Sequence, residues 1–155
     1  MPISVVDADL DRPEHCTGLV AILDEYARLL HIAGRGLPAE VIENLTSRLV
    51  STSGKQILLA VDGEKFIGVA VCFEAFSTVA GRPLLNIHDL AVTGACRGQG
   101  VNDAIGRRRS ACQRTRLLPS DAEVDMDNPG AKKLYERSGF VMTQEFWKKG
   151  LQAER

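Results

Sequence analysis

Residues 86–102 constrain the fold of this chain more than any other stretch, because they join an apolar strand, a glycine loop and the start of a helix. The strand pattern ends at Val92, the loop carries Gly98 and Gly100, and the helical pattern starts at Gly100 or Val101. Such a connection points several backbone N–H groups at one place, where a phosphate can accept hydrogen bonds from them. By itself the stretch predicts either a phosphate-binding loop or a plain strand-to-helix connection.

Two common phosphate-binding motifs do not fit this loop. A dinucleotide-binding fingerprint needs a third glycine, and Asp103 stands in its place. A Walker loop needs Ser or Thr after Gly-Lys, whereas Gln56 follows Gly54 and Lys55. The loop therefore predicts either another class of phosphate site or a plain strand-to-helix connection.

Length and composition predict one globular domain over residues 1–155. The chain is 45% hydrophobic and 25% charged, and it is long enough to bury a core. Its net charge of -1 gives no general attraction to nucleic acid or to an anionic membrane. No apolar run approaches the about 20 residues that span a bilayer. We therefore expect neither nucleic acid nor membrane as a partner.

The four cysteines are irregularly spaced, with no C-x-x-C pair and no Cys/His cluster. We expect no metal site for this reason. Acidic residues near the amino terminus argue against a signal peptide, namely Asp7, Asp9 and Asp11. The expected location is the cytoplasm, with reduced thiols.

Apolar periodicity predicts the strands and helices along the chain. The predicted strands cover residues 3–6, 56–61, 66–76, 84–92, 122–126 and 140–148. The predicted helices start near residues 13, 38, 100 and 129. Short connections between residues 56 and 92 indicate an antiparallel meander, and the helix after them crosses over to a parallel strand. The fold class is therefore α+β, a single mixed, mostly antiparallel sheet with helices on both faces.

A second motif lies further along the chain, with the pattern Asn-x-x-Ala-x-x-Leu-Tyr-Glu-x-x-Gly-Phe from Asn128 to Phe140. Together with Arg97-x-x-Gly100 after an apolar strand, this pattern resembles the GNAT family of acyl-CoA-dependent N-acyltransferases. The resemblance covers residues 56–147. It implies the GNAT fold, acetyl-CoA as the co-substrate and no metal.

The resemblance also implies where CoA lies. In the family, the strand that here ends at Val92 carries a bulge and splays from the next parallel strand. The pantetheine arm would enter that gap and pair with the backbone of Leu90, Ala91 and Val92, with the Val92 N–H as oxyanion donor. Asn128 would contact the arm and also cap its own helix. The pyrophosphate would lie against Arg97, Gly98, Gln99, Gly100, Val101 and Asn102.

Two residues are candidates for proton transfer. Tyr135 matches the family tyrosine that protonates the departing CoA thiolate, and its alternative role is that of a core aromatic residue. Residues 76–90 resemble the polyamine-acetylating branch, in which a glutamate occupies the position of His88. An imidazole suits a base at neutral pH, and the alternative is a half-buried strand histidine. Asp89 should point to the opposite face from His88 unless a bulge intervenes.

Charged groups near these motifs allow two interpretations each. Glu74, a weaker candidate base, could line an acidic cleft for a cationic amine together with Asp89, Glu123 and Asp125, or these residues are ordinary surface charges. The arginines at 107–109 lie near the 3′-phosphate of CoA or, as we favour, form a solvated helix face.

The predicted function is direct transfer of an acetyl group from acetyl-CoA to a primary amine of a small molecule. Asn102 stands where the family has a small residue, which supports a second hypothesis of a GNAT-fold module that binds acyl-CoA with weakened turnover. A third hypothesis makes the acceptor a protein lysine or N-terminus. Homodimers are common among similar proteins, so a homodimer is one expected assembly.

Overall fold

A computed structural model describes residues 2–29, 34–116, 120–124 and 128–142, with the backbone alone described for 110–116. The strands are β1 (Ser4–Asp7), β2 (Lys55–Asp62), β3 (Lys65–Ser77), β4 (Arg82–Val92) and β5 (Ser120–Ala122). The helices are α1 (Pro13–Leu29), α2 (Ala39–Ser51), α3 (Val101–Arg116) and α4 (Pro129–Arg137). A 3₁₀ turn, Gly94–Cys96, lies between β4 and α3. Contacts divide the chain into two compact units, Met1–Ala122 and Glu123–Arg155.

The first unit holds one mixed sheet in which the strands follow chain order. Strands β1 to β4 form an antiparallel meander, and β5 pairs with β4 in parallel. The predicted α+β fold class is therefore confirmed.

Helices cover both faces of this sheet. On one face, α1 and α2 pack on inward-facing side chains of β2, β3 and β4, and the core there includes Leu19, Ile22, Leu49, Leu59, Val69, Val71 and Ala91. On the other face lies α3, whose Val101 and Ile105 are 2% and 1% exposed. This arrangement holds the start of α3 close to the end of β4.

The predicted strand at 122–126 is wrong in position. The strand covers Ser120–Ala122, and Glu123 and Val124 are not part of it. The predicted closing strand at 140–148 lies largely outside the described residues, and residues 140–142 are not in a strand. None of the helices in the described ranges combines the length and apolarity needed to cross a membrane.

Replacing Gly68 or Gly106 by alanine is expected to change the stability of the protein in opposite directions. A Cβ at Gly68 would lie 2.8 Å from Val101 Cγ1 and 3.3 Å from the Ala91 carbonyl oxygen. A Cβ at Gly106, inside α3, would meet no atom within 4 Å. Gly68→Ala is expected to lower the free energy of unfolding by about 1–3 kcal/mol through overpacking. Gly106→Ala is expected to raise it by about 0.5–1 kcal/mol, because alanine is the better helix former.

Urea unfolding of the two variants beside the wild type measures both changes. A stabilising Gly68→Ala would contradict the close packing of α3 on β3. The paired Gly106→Ala variant checks that a methyl group is tolerated on an open part of α3.

Candidate active site

β4 carries a β-bulge at His88. Val71 of β3 pairs with Asp89, while the next residue, Cys72, pairs with Ile87, so the register passes over His88. A bulge bends a strand and re-aims the side chains beside it. The bulge that the family resemblance implied for this strand is present.

His88 and Asp89 lie on the same face of the sheet. The exposed His88 ring stands edge-on to Phe73, with ring centroids 5.7 Å apart, and Phe73 packs against the core under α1 and α2. Asp89 pairs with Val71, which belongs to the same core. Because paired residues share a face, the bulge brings both side chains to the side of α1 and α2. The plain alternation that would have separated them does not occur.

Glu74 lies on the opposite face. It follows Gly68 on β3 by an even number of residues, and Gly68 faces α3, because a Cβ added there would meet Val101. Glu74 and Asp89 therefore do not line one cleft. Of the other acidic residues predicted there, Glu123 belongs to the second unit and Asp125 lies outside the described residues.

The edge of β4 that faces away from β3 is open beyond Ile87 in the described part of the chain. β5 pairs with β4 from Leu85 to Ile87 only. The Thr93 N–H points toward β3, where it donates to the Ile67 carbonyl at 3.0 Å. Since N–H groups alternate along a strand, those of Leu90 and Val92 point to the open side. This edge is the one that the predicted pantetheine contacts require.

Arg97 turns back toward the end of β4. Its Nε donates to the Val92 carbonyl oxygen at 3.2 Å, and its backbone N–H donates to the Gly94 carbonyl at 3.4 Å. The guanidinium therefore satisfies a strand carbonyl that would otherwise lack a partner at this edge. The Arg97 backbone starts the glycine loop.

The glycine loop leaves N–H groups and open space at the start of α3. Gly98 and Gly100 have φ angles of 74° and 78°, and a Cβ added at either would meet no atom within 4 Å. Ala104 makes the first hydrogen bond of the helix, to the Gly100 carbonyl at 3.0 Å. The N–H groups that precede Ala104 have no acceptor within the helix and lie at its positive end. These features fit a pyrophosphate group.

Asn102 adds an unsatisfied polar atom to the first turn of α3. Its Oδ1 is buried and has no hydrogen-bond partner among the described residues. An unpaired buried carbonyl costs about 1–3 kcal/mol. The larger residue is thus accommodated within an intact helix start, at an energetic cost.

The second unit holds the second motif. Asn128 caps α4, since its side chain accepts a hydrogen bond from the Ala131 N–H at 3.0 Å, as predicted. Tyr135 is half-buried and stands edge-on to Phe140, with ring centroids 5.2 Å apart. The roles of Asn128 toward pantetheine and of Tyr135 toward the thiolate stay predictions.

The arginine run does not form a uniformly solvated face. Arg107 is exposed, Arg108 pairs with Asp7 of β1, and Arg109 is only 8% exposed. Arg109 Nη1 donates to Ser120 Oγ at 2.8 Å, which ties α3 to β5. The favoured prediction is therefore wrong for Arg109, whose charge is buried beneath the sheet edge.

Two carboxylates of α1 were not singled out from the sequence. Glu25 Oε1 accepts a hydrogen bond from the Gly94 N–H at 2.7 Å, and Asp24 Oδ1 accepts one from the Leu37 N–H at 2.7 Å. The Arg28 side chain, followed by that N–H, holds the pKa of Asp24 below its ordinary value. No local sequence pattern predicts these contacts, because the partners lie 69 residues apart for Glu25 and Gly94 and 13 residues apart for Asp24 and Leu37.

Within the described ranges, no group of three or more His, Cys, Asp or Glu side chains is placed to hold a metal ion. The described cysteines, Cys16, Cys72 and Cys96, are free thiols. Burial raises the pKa of Cys72 to about 11, against an opposing effect of Arg109. Cys72 is therefore a poor nucleophile.

The mixed sheet, the bulged strand β4 and the glycine loop before α3 define the class of fold in which this candidate site lies. Residues 19–140 match the acetyltransferase (GNAT) family, which is most of the chain. The chain therefore belongs to the GNAT family of acetyltransferases. A comparison with curated protein sequences finds no significant match.

Solved structures share the fold at low sequence identity. An integron cassette protein from the mobile metagenome of V. cholerae is 22% identical with a TM-score of 0.80, over 99% of this chain and 94% of that one. A transcriptional regulator from Bacillus halodurans C-125 is 18% identical with a TM-score of 0.77, over 97% and 100%. An aminoglycoside acetyltransferase from an uncultured soil metagenomic sample, in complex with sisomicin, is 12% identical with a TM-score of 0.77, over 98% and 97%.

Proposed function

We propose that this chain transfers the acetyl group of acetyl-CoA directly to a primary amine of a small molecule. The observation that carries the proposal is the arrangement along β4. The glycine loop follows its carboxyl end, the outer edge at Leu90 and Val92 has no described strand beside it, and the exposed His88 stands at the bulge. This order along a single strand supports a phosphate site, an extended arm and a proton acceptor that follow one another.

Each segment has a distinct task in this proposal. The loop from Arg97 to Asn102 and the positive end of α3 hold the pyrophosphate. The backbone of β4 from Leu90 through Ala91 to Val92 holds the pantetheine arm, and Asn128 contributes a side-chain contact to it. Acetyl-CoA, when bound, supplies the activated acyl group. The Val92 N–H is a donor to the carbonyl oxygen where negative charge develops, and such a donor stabilises the transition state.

Two side chains move protons. His88 would accept a proton from the substrate ammonium, directly or through water, because the neutral amine is the nucleophile. Tyr135 would donate its proton to the departing thiolate, and the second proton that the nitrogen loses as the amide forms would restore the tyrosine. No covalent acyl-enzyme is part of the proposal, since Cys72 is buried with a raised pKa and no His stands beside Cys96 in the sequence.

Free-thiol release measures the reaction. Acetyl-CoA is incubated with a panel that contains polyamines, aminoglycosides, amino acids and a lysine peptide, and the acetylated product is identified by mass. An aminoglycoside is included because one fold relative is an aminoglycoside acetyltransferase. We expect thiol release with a small amine. Release with the peptide alone would favour a protein acceptor, and no release with any acceptor would contradict an acetyltransferase of small amines.

Tyr135→Phe is expected to lower kcat about tenfold and to leave CoA affinity unchanged. A thiol with a pKa near ~8.5 leaves without full assistance, so the effect falls below the usual range for an acid catalyst. Phenylalanine keeps the edge-on contact with Phe140 and so preserves packing. Steady-state kinetics and CoA titration measure the two quantities. An unchanged kcat would assign Tyr135 to packing alone.

Asn102 supports a second candidate function, a module that binds acyl-CoA with weakened turnover. Its buried, unpaired Oδ1 lies within the loop segment that must seat the pyrophosphate. A thermal shift with CoA and no acetylated product would favour this candidate over the enzyme. A cytoplasmic location and a homodimer remain predictions for either candidate.

A further inference from the structure

Glu25 connects α1 to the loop that follows β4. Its Oε1 accepts a hydrogen bond from the Gly94 N–H at 2.7 Å. Gly94 starts the 3₁₀ turn Gly94–Cys96, so its N–H lies where the turn itself offers no acceptor. The half-buried carboxylate of a distant helix therefore satisfies the first donor of the turn.

The turn and the glycine loop also form hydrogen bonds within the segment. The Cys96 N–H donates to the Thr93 carbonyl at 3.0 Å, and the Arg97 N–H donates to the Gly94 carbonyl at 3.4 Å. Gln99 Nε2 donates to the Ala95 carbonyl at 3.0 Å. These bonds stiffen the segment internally, and the Glu25 contact ties it to α1.

We infer that Glu25 is a positioning residue for CoA binding, an inference that rests on the proposed function. Its carboxylate holds the turn so that the glycine loop is already ordered before the pyrophosphate arrives. A loop that is ordered in advance loses less conformational entropy on binding, which increases affinity. A hydrogen bond from a backbone N–H to a side-chain oxygen, charged or neutral, is strong enough for this purpose.

The charge of Glu25 distinguishes a positioning role from other roles. A negative charge repels a pyrophosphate weakly and so cannot itself favour CoA binding. A positioning role therefore needs the acceptor oxygen of Glu25 and does not need its charge. Glutamine keeps an acceptor oxygen at the same reach, while alanine removes it. A role as base or as anchor for the ammonium of the substrate would instead need the charge.

The experiment compares CoA affinity by calorimetry in the wild type, Glu25→Ala and Glu25→Gln. Glu43→Ala serves as a matched control, because Glu43 is an exposed glutamate of α2 and carries the same charge. We expect Glu25→Ala to raise the Kd for CoA about tenfold. Glu25→Gln should stay within about threefold of the wild type, and Glu43→Ala should equal it.

Kinetics provide the second measurement. Glu25→Ala should raise KM for acetyl-CoA, with kcat at saturation and the pH profile unchanged. Equal CoA affinity in Glu25→Ala and the wild type would overturn this inference and leave the proposed function standing. The inference would also be overturned if Glu25→Gln bound CoA as weakly as Glu25→Ala, or if Glu25→Gln lost kcat and changed the pH profile. Either result would show that the charge of Glu25 is needed. A wild type that binds no CoA would remove the proposed function and this inference with it.

Discussion

Alanine at both Gly98 and Gly100 is expected to weaken CoA binding by about 100-fold. The two residues have φ angles of 74° and 78°, a region in which an L-residue costs about 1–2 kcal/mol. A loop with two alanines relieves this strain by changing conformation, and its N–H groups then no longer converge. Binding must restore the strained form, so the strain reduces the affinity. Calorimetric titration with CoA measures the change.

Gly81→Ala is the matched control for this prediction. Gly81 has a φ of 63° and equally open surroundings, but it lies in the connection between β3 and β4. Gly81→Ala should lose about as much stability as each alanine of the double variant causes, and it should keep its affinity for CoA. Wild-type affinity in the double variant would show that the glycine loop does not bind the cofactor. An equal loss in Gly81→Ala would attribute the effect to general destabilisation.

His88→Gln is expected to lower kcat about 100-fold at neutral pH while the Kd for CoA stays unchanged. Glutamine has a similar size and bonds to neighbouring groups, but it does not take up a proton at neutral pH. Because His88 is exposed at the bulge, its replacement should cost little stability. Steady-state kinetics across a pH series, with CoA titration and thermal unfolding, separate the three effects.

Glu74→Gln is the control for the His88 variant. Glu74 was a weaker candidate for the same task, and the register places it on the face of β3 opposite to Asp89. We expect its replacement to leave kcat unchanged. Full activity in His88→Gln would support the alternative of a strand histidine that packs against Phe73. A loss confined to Glu74→Gln would move the reacting amine to the α3 side of the sheet.

Local patterns predicted the elements of this fold well, because strand and helix periodicity depends on near neighbours in the sequence. The strand predicted at 66–76 corresponds to Lys65–Ser77 in the structure, and the helix predicted from residue 100 corresponds to Val101–Arg116. Asn128 was predicted as an N-cap from its place before Pro129, and its side chain makes that hydrogen bond. The glycine loop was recognised in the same way.

Hydrogen bonds to distant residues decided the position of β5, which periodicity predicted wrongly. Alternating residues at 122–126 predicted a strand, yet the strand lies at Ser120–Ala122, where distant groups bind it. Arg109 donates to Ser120, and Asn86 Nδ2 donates to Asp121 Oδ1 at 2.8 Å. No alternation in the sequence reports on partners that lie 11 or 35 residues away.

The sequence by itself determined the family, the order of elements and the position of the glycine loop, since each depends on residue types at short spacing. Only the tertiary structure decided the details that matter for chemistry. The bulge places His88 and Asp89 on one face, α3 buries Arg109, and Glu25 of α1 reaches Gly94 beyond the end of β4. The physical reason is common to all three. Strand register, burial and long-range hydrogen bonds depend on which elements meet in space, and residues 86–102 acquire their bulge and their long-range contacts only among those neighbours.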